Sequence, residues 1–275
     1  MKEVCGICPH HCALEDGQTG FCRARANKNG RIVCINYGRL TSVALDPIEK
    51  KPFARFMPGS KILSIGSFGC NLRCRFCQNH SISMASCEET EAMNVKPETI
   101  LEKAAALIPR GNIGLAFTYN EPLIGYEFVF DCAKLISEGG MKNVLVTNGY
   151  VCEEPLSALL PYIDAMSIDL KCFSNSFYKK VGGDLETVMR TIAICAEACH
   201  VEVTTLVIPD ENDNPEEIRE LAKWLSSINP NIPYHLSRFF PMHEYGDRKP
   251  TPVETVYALK EIAGEYLNHV FAGNC

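Results

Sequence analysis

The 275-residue chain lacks any long hydrophobic run. Its longest apolar stretches, such as "NIGLAF" and "YIDAMSI", fall far short of the roughly 20 residues a membrane-spanning helix requires. A membrane location is therefore not expected. The first residues, "MKEVCGICPHHC", carry no apolar core of the kind a secretion signal needs, so the expected location is cytoplasmic. Basic charge is also scarce: 27 Lys and Arg stand against 33 Asp and Glu, a net charge of -6. That balance leaves no cationic field to displace counterions from a phosphate backbone, and nucleic acid is not an expected partner. With 46% hydrophobic and 22% charged residues, the composition is that of an ordinary globular protein rather than a disordered one.

What the chain has in excess is cysteine, fifteen in all. For an odd count without an export signal, metal ligation and burial account for thiols better than disulfides do. Cys5, Cys8, Cys12 and Cys22 crowd the amino terminus, with Cys34 behind them, and Cys70, Cys74 and Cys77 form a second group. The remaining seven are scattered, as small buried residues usually are.

From residue 61 onward, β-type apolar runs alternate with amphipathic segments of helical length. "KILSIGSFG", "NIGLAFT", "KNVLVTNG", "IDAMSIDL", "HVEVTTLVIP", "IPYHLSRF" and "HVFAG" read as strands. Between them, stretches such as "KPETILEKAAALI", "LETVMRTIAICAEA" and "NPEEIRELAKWLSSI" read as helices, the last begun by Asn214 and Pro215. Such alternation implies right-handed crossovers and a parallel sheet. Six or seven units exceed a small doubly wound sheet and fall short of a closed eightfold barrel. The expected fold is therefore α/β, a partial (β/α)6 barrel over residues 58–275 with its chemistry at the carboxyl ends of the strands. Residues 1–57 show no alternation and read as a separate, small cysteine-rich element.

The stretch "GSFGCNLRCRFCQNH" follows the first of these strands and spaces its thiols C-x3-C-x2-C. Three thiolates in a tight loop can hold three corners of a [4Fe–4S] cube, whereas a ferredoxin uses four. The next cysteine, Cys87, stands ten positions beyond Cys77. A missing fourth ligand leaves one iron open, which separates a reactive metal site from a closed structural one. A zinc knuckle is the alternative.

"CNLRCRFC", with Phe76 before its last cysteine, resembles the signature of radical S-adenosylmethionine enzymes. The resemblance implies that Cys70, Cys74 and Cys77 bind the cube and that its open iron chelates the amino and carboxylate groups of S-adenosylmethionine. One electron then cleaves the sulfonium to a 5'-deoxyadenosyl radical. "FTYNEP" stands where such enzymes carry a glycine-rich segment, so Glu121 is similar to the residue that meets the methionine ammonium, although Tyr119 and Asn120 replace the glycines. A desolvated ammonium needs such an acceptor.

"VTNG" and "SIDLK" resemble segments of the pyruvate formate-lyase activating enzyme and its relatives. The resemblance implies that Asn148 lines the pocket and that Asp169 and Lys171 approach the ribose and carboxylate of the cofactor. Residues at alternate positions share one face of a strand, and an inward ion pair is the other reading of these two. "PYHLSRFFP" puts His235 and Arg238 at the end of the sixth strand, where relatives carry a ribose-contacting histidine. Tyr119, Tyr150, Arg238 and Phe240 are candidates to line a substrate pocket.

Segments of the type "CPHHC", "GQTGFCRAR", "CQNH", "VIPDENDNPEEI" and "HLSRFFP" are similar to those of the AmmeMemoRadiSam system radical enzymes. That subgroup implies companion proteins of the Memo and AMMECR1 families. The expected function is reductive cleavage of S-adenosylmethionine and hydrogen abstraction from an unidentified substrate, driven by a flavodoxin-like or ferredoxin-like one-electron donor. A glycyl radical enzyme activase and a non-catalytic iron–sulfur electron-transfer protein are the alternatives. At the amino terminus, C5-x2-C8-x3-C12-x9-C22 supplies four thiols, enough for a zinc site or a second iron–sulfur cluster. His10 and His11 could replace one ligand. Thiolate softness does not separate iron from zinc, so a second cluster, zinc and no metal all remain open.

Overall fold

The computed structural model describes residues 2–275. The apolar runs form a central sheet of eight strands: β1 (Ser42–Pro47), β2 (Lys61–Gly66), β3 (Asn112–Phe117), β4 (Lys142–Thr147), β5 (Ala165–Asp169), β6 (His200–Val207), β7 (Tyr234–Arg238) and β8 (Val270–Gly273). They lie side by side in chain order, with β2 to β8 parallel. The order β1 to β8 leaves an edge at each end, so the sheet is an open, partial barrel.

β1 lies within the first 57 residues, where the sequence shows no alternation. All six of its residues nevertheless pair antiparallel with β2. An antiparallel neighbour needs only a short return rather than a crossover helix, so it leaves no strand–helix signature. The return, residues 48–60, folds into the barrel. Its Ile48 and Phe53 pack with Ile62, Ala116, Val144 and Ala165 and fill the interior with apolar side chains.

The crossover helices are α1 (Pro97–Ala106), α2 (Tyr126–Glu138), α3 (Glu153–Leu159), α4 (Asn175–Val181), α5 (Leu185–Ala198), α6 (Pro215–Ile228) and α7 (Val253–Gly264). Asp184 caps α5 by accepting from Thr187 N, and Asn214 caps α6 by accepting from Glu216 N ahead of Pro215. The short α4 has no counterpart in the sequence pattern. It brings Tyr178 under the loop after β5, where its hydroxyl accepts from Lys171 N at 3.0 Å.

The amino-terminal cysteines sit among two small hairpins, Glu3–Val4 with Ala13–Leu14 and Arg25–Asn27 with Ile32–Cys34. This part rests against the loop that carries Cys70. At Gly69 (φ +85°), an added Cβ would lie 2.4 Å from the Cys22 carbonyl oxygen, so only glycine allows the approach. The Arg73 guanidinium stacks 3.9 Å from the Phe21 ring centroid. Arg25 clasps Glu127 of α2 through two hydrogen bonds of 2.7 and 2.6 Å.

Candidate active site

A cavity of about 730 Å³ opens at the carboxyl ends of the strands. Cys70, Cys74 and Cys77 line it, together with Glu121, Asn148, Asp169, Lys171 and His235. The loop after β2 thus faces the ends of β3, β4 and β5, bringing together residues that stand a hundred positions apart in the chain.

Burial pushes all three thiols up, Cys74 to about 11, while the Lys171 charge draws Cys74 and Cys77 back down. Asn148 Nδ2 donates to Cys70 Sγ at 3.6 Å, and Leu72 N donates to the same sulfur at 3.4 Å. Three soft sulfur ligands, amide donors on one of them and an ammonium beside the other two suit an anionic iron–sulfur group. Among the described residues, no three His, Cys, Asp or Glu side chains are drawn together as ligands of a single metal ion. A cube spreads its thiolates over separate irons.

Glu121 is almost wholly buried, and burial raises its carboxyl to about 7 against the pull of its hydrogen bonds. Its Oε1 accepts from Leu123 N at 3.0 Å and Thr147 Oγ1 at 2.8 Å, and its Oε2 accepts from Asn148 N at 2.7 Å. A carboxylate has about four acceptor positions, so about one is left for a ligand. Just before it, Tyr119 adopts φ +73°, the left-handed region that glycine favours. The chain therefore keeps a glycine-like backbone without the glycine. Tyr119 is held there by its hydroxyl, which donates to Asp46 Oδ2 at 2.7 Å, and by Lys51 Nζ, 4.8 Å from its ring centroid. Lys51 is itself buried and donates to Asp46 at 2.7 Å. Lys51 belongs to the β1–β2 return, within the residues 1–57 that the sequence pattern reads as a separate element.

Asp169 and Lys171 form an ion pair of 2.9 Å at the cavity wall. Burial opposes the lysine charge, but Asp169 and the Cys74 sulfur hold its pKa well above the ordinary value. The "SIDLK" segment thus forms the inward ion pair, and that pair lines the cavity.

His235 is the second residue of β7, so it sits at the amino end of the strand rather than the carboxyl end. It stacks on Phe271 at 5.2 Å, and its Nε2 meets Glu202 Oε2 at 2.6 Å. Glu202, fully buried in β6, also accepts from Ala54 N at 2.9 Å, Arg55 N at 2.8 Å and His200 Nε2 at 2.9 Å. Sequence reasoning missed it. The signal was a lone carboxylate inside the apolar run "HVEVTTLV", which must find partners when the run is buried.

Of the four candidate substrate-pocket residues, Tyr119 lines the cavity, whereas Tyr150, Arg238 and Phe240 do not. Strand alternation is the reason for Arg238: His235 and Ser237 face the cavity, and position 238 turns to the other side. There Arg238 donates to Thr251 O at 2.7 Å and stacks over Phe240. Tyr150 packs edge-on against His10.

A parallel partial barrel whose second strand leads into a three-cysteine loop over such a cavity defines a class of iron–sulfur enzyme. The match to the Radical SAM superfamily covers residues 64–225, and the chain belongs to that superfamily. It is an activating-enzyme-like enzyme whose cofactors are a [4Fe–4S] cluster and S-adenosylmethionine. The chain is 40% identical to an uncharacterized protein of Methanocaldococcus jannaschii over 277 residues, covering 99% of this chain and 81% of that protein. It is 28% identical to the pyruvate formate-lyase-activating enzyme of Clostridium pasteurianum, covering 70% and 80% of the two chains. In fold, it is similar to Streptococcus suis SuiB bound to S-adenosylmethionine, with a TM-score of 0.57, 15% identity and coverage of 78% and 52%. Among the described residues, no helix is long and apolar enough to cross a membrane.

Proposed function

We propose that Cys70, Cys74 and Cys77 hold the [4Fe–4S] cluster and that the cavity beside them binds S-adenosylmethionine for hydrogen abstraction from an organic substrate. The convergence of three thiols, a buried carboxylate and the Asp169–Lys171 pair on one cavity carries this reading. Held by Cys70, Cys74 and Cys77, a cluster would supply the one electron needed to cleave the sulfonium of S-adenosylmethionine bound in the cavity. Asn148 orients Cys70. The remaining acceptor position of Glu121 takes the methionine ammonium. Asp169 accepts from the ribose hydroxyls, Lys171 meets the methionine carboxylate, and His235, anchored by Glu202, closes the ribose side. The apolar filling around Phe53 keeps water from the barrel interior.

The substrate enters from the Tyr119 and Lys51 wall, and a flavodoxin-like or ferredoxin-like protein in a reducing cytoplasm supplies the electron. The residues before β1 act as a distinct cysteine-rich element, and Memo-family and AMMECR1-family proteins are the companions that the sequence implies. A second reading, activation of a glycyl radical enzyme, is favoured by the likeness to activating enzymes, among them the (2S)-3-sulfopropanediol dehydratase activating enzyme of Klebsiella oxytoca. Anaerobic incubation of the reduced protein with S-adenosylmethionine should yield 5'-deoxyadenosine and methionine. If neither forms while the cluster is intact and reduced, the proposal fails.

A further inference from the structure

We propose that Cys5, Cys8, Cys12 and Cys22 hold a second iron–sulfur cluster that relays electrons to the cluster of the triad. The four thiols line one small, enclosed cavity walled by Ile7, Leu14 and Ile124. The chain is folded to bring them there. Cys5 N donates to Cys12 O at 3.0 Å, so the loop between them returns on itself. Gly20 lies at ordinary contact distance from Cys12, so the next loop runs beside the first.

Arg25 provides an independent sign of a ligand. It lines the same cavity and is 5% exposed. Its two terminal nitrogens bind Ile124 O and Glu127, but its buried Nε–H has no partner among the described residues. A buried donor without an acceptor is costly, and cluster sulfur is an acceptor that would relieve it. Four thiolates can hold a cube with one at each corner, and the contacts that join this cavity to the triad favour a redox group over zinc.

One asparagine links this cavity to the triad. The Asn71 main-chain carbonyl accepts from His10 Nε2 at 2.8 Å, and His10 lines the cavity of the four thiols. Asn71 Oδ1 accepts from Asn148 Nδ2 at 2.9 Å, and the same Asn148 nitrogen reaches Cys70 Sγ. A short path of contacts therefore runs from His10, in the wall of the thiol cavity, through Asn71 and Asn148 to Cys70. In the relay, a reduced low-potential iron–sulfur or flavin protein is oxidised by one electron as the amino-terminal cluster is reduced. That cluster is reoxidised as the electron moves to the triad cluster. No bond forms or breaks and no proton moves. The relay rests on the radical reading of the triad; the metal content does not.

The test is metal analysis of the full chain reconstituted anaerobically with iron and sulfide. The variant Cys70→Ala/Cys74→Ala/Cys77→Ala should retain about four iron and about four sulfide per chain, and the wild type about twice that. Zinc in place of iron in that variant, or no metal, would overturn the proposal. The second arm compares S-adenosylmethionine cleavage driven by reduced flavodoxin with cleavage driven by dithionite, in wild type and in Cys8→Ser. The ratio of the two rates should fall in Cys8→Ser, and an unchanged ratio overturns the relay. If cleavage fails in wild type with its iron in place, the radical reading is at fault and the iron count still decides the second site.

Discussion

Glu202 and His235 meet at 2.6 Å beneath the cavity, on the neighbouring strands β6 and β7. Two main-chain amides from the β1–β2 return and His200 complete the carboxylate's partners. One buried glutamate thus ties the return, two strands and a cavity residue together.

Burial alone would raise the Glu202 carboxyl, but its four donors hold it at about 2, below its ordinary 4.5. A depressed folded-state value contributes stability that is present above the unfolded value and lost as pH falls from about 4.5 through about 2. Glu202→Gln should therefore cost about 3–5 kcal/mol near neutral pH, where a buried pair is broken. Denaturant unfolding between about pH 6 and about pH 3 should show that gap narrowing as the wild type loses its advantage. A constant gap across this range would rule out the carboxylate as its source.

Removing one thiol of the triad removes a corner of its cluster. Cys74→Ala should lose the site-differentiated cluster and abolish cofactor cleavage, read by iron content and by 5'-deoxyadenosine release. Cleavage at the wild-type rate would refute the ligand assignment.

Asn148 donates to Cys70 Sγ, and hydrogen bonds to ligand sulfur help set a cluster's reduction potential. Asn148→Ala should keep the triad's iron but shift that cluster to a more negative potential, followed by redox titration. An unchanged potential would show that this contact only orients the thiol.

Asp169 presents one oxygen to Lys171 at 2.9 Å and stands at the cavity wall. Asp169→Asn should weaken S-adenosylmethionine binding by about 1.5–3 kcal/mol, the worth of a charge-assisted hydrogen bond. Equilibrium titration of the reconstituted protein measures this, and unchanged affinity would remove Asp169 from the ribose site.

Tyr119 holds a left-handed backbone at φ +73°. Tyr119→Ala and Tyr119→Gly both lose the Asp46 hydrogen bond and the Lys51 contact, but only alanine keeps the strain. The alanine variant should be less stable than the glycine variant by about 1–2 kcal/mol in urea unfolding. Equal stabilities would mean that the loop relaxes when the side chain is lost.

Much of this was legible in the chain because it is local. The thiols of Cys70, Cys74 and Cys77 lie within one loop, and the cap at Asn214 acts within two residues. Apolar runs marked the parallel strands because most of them are buried on both faces. β1 escaped because its partner is an antiparallel neighbour. The position of His235 was misjudged because strand ends are less visible in sequence than strand cores.

By itself, the sequence determined the alternation of strands and helices, the three-thiol loop and the family to which the chain belongs, since all of these are written in residues close together along the chain. Only the tertiary structure decided that Glu202 would anchor His235, that Lys51 would enter the site wall and that Asn71 would stand between the two groups of cysteines. Those relationships depend on the order of strands in the sheet and on where the return after β1 folds. Pairings across such distances arise when buried polar groups find their partners, which no local spacing records.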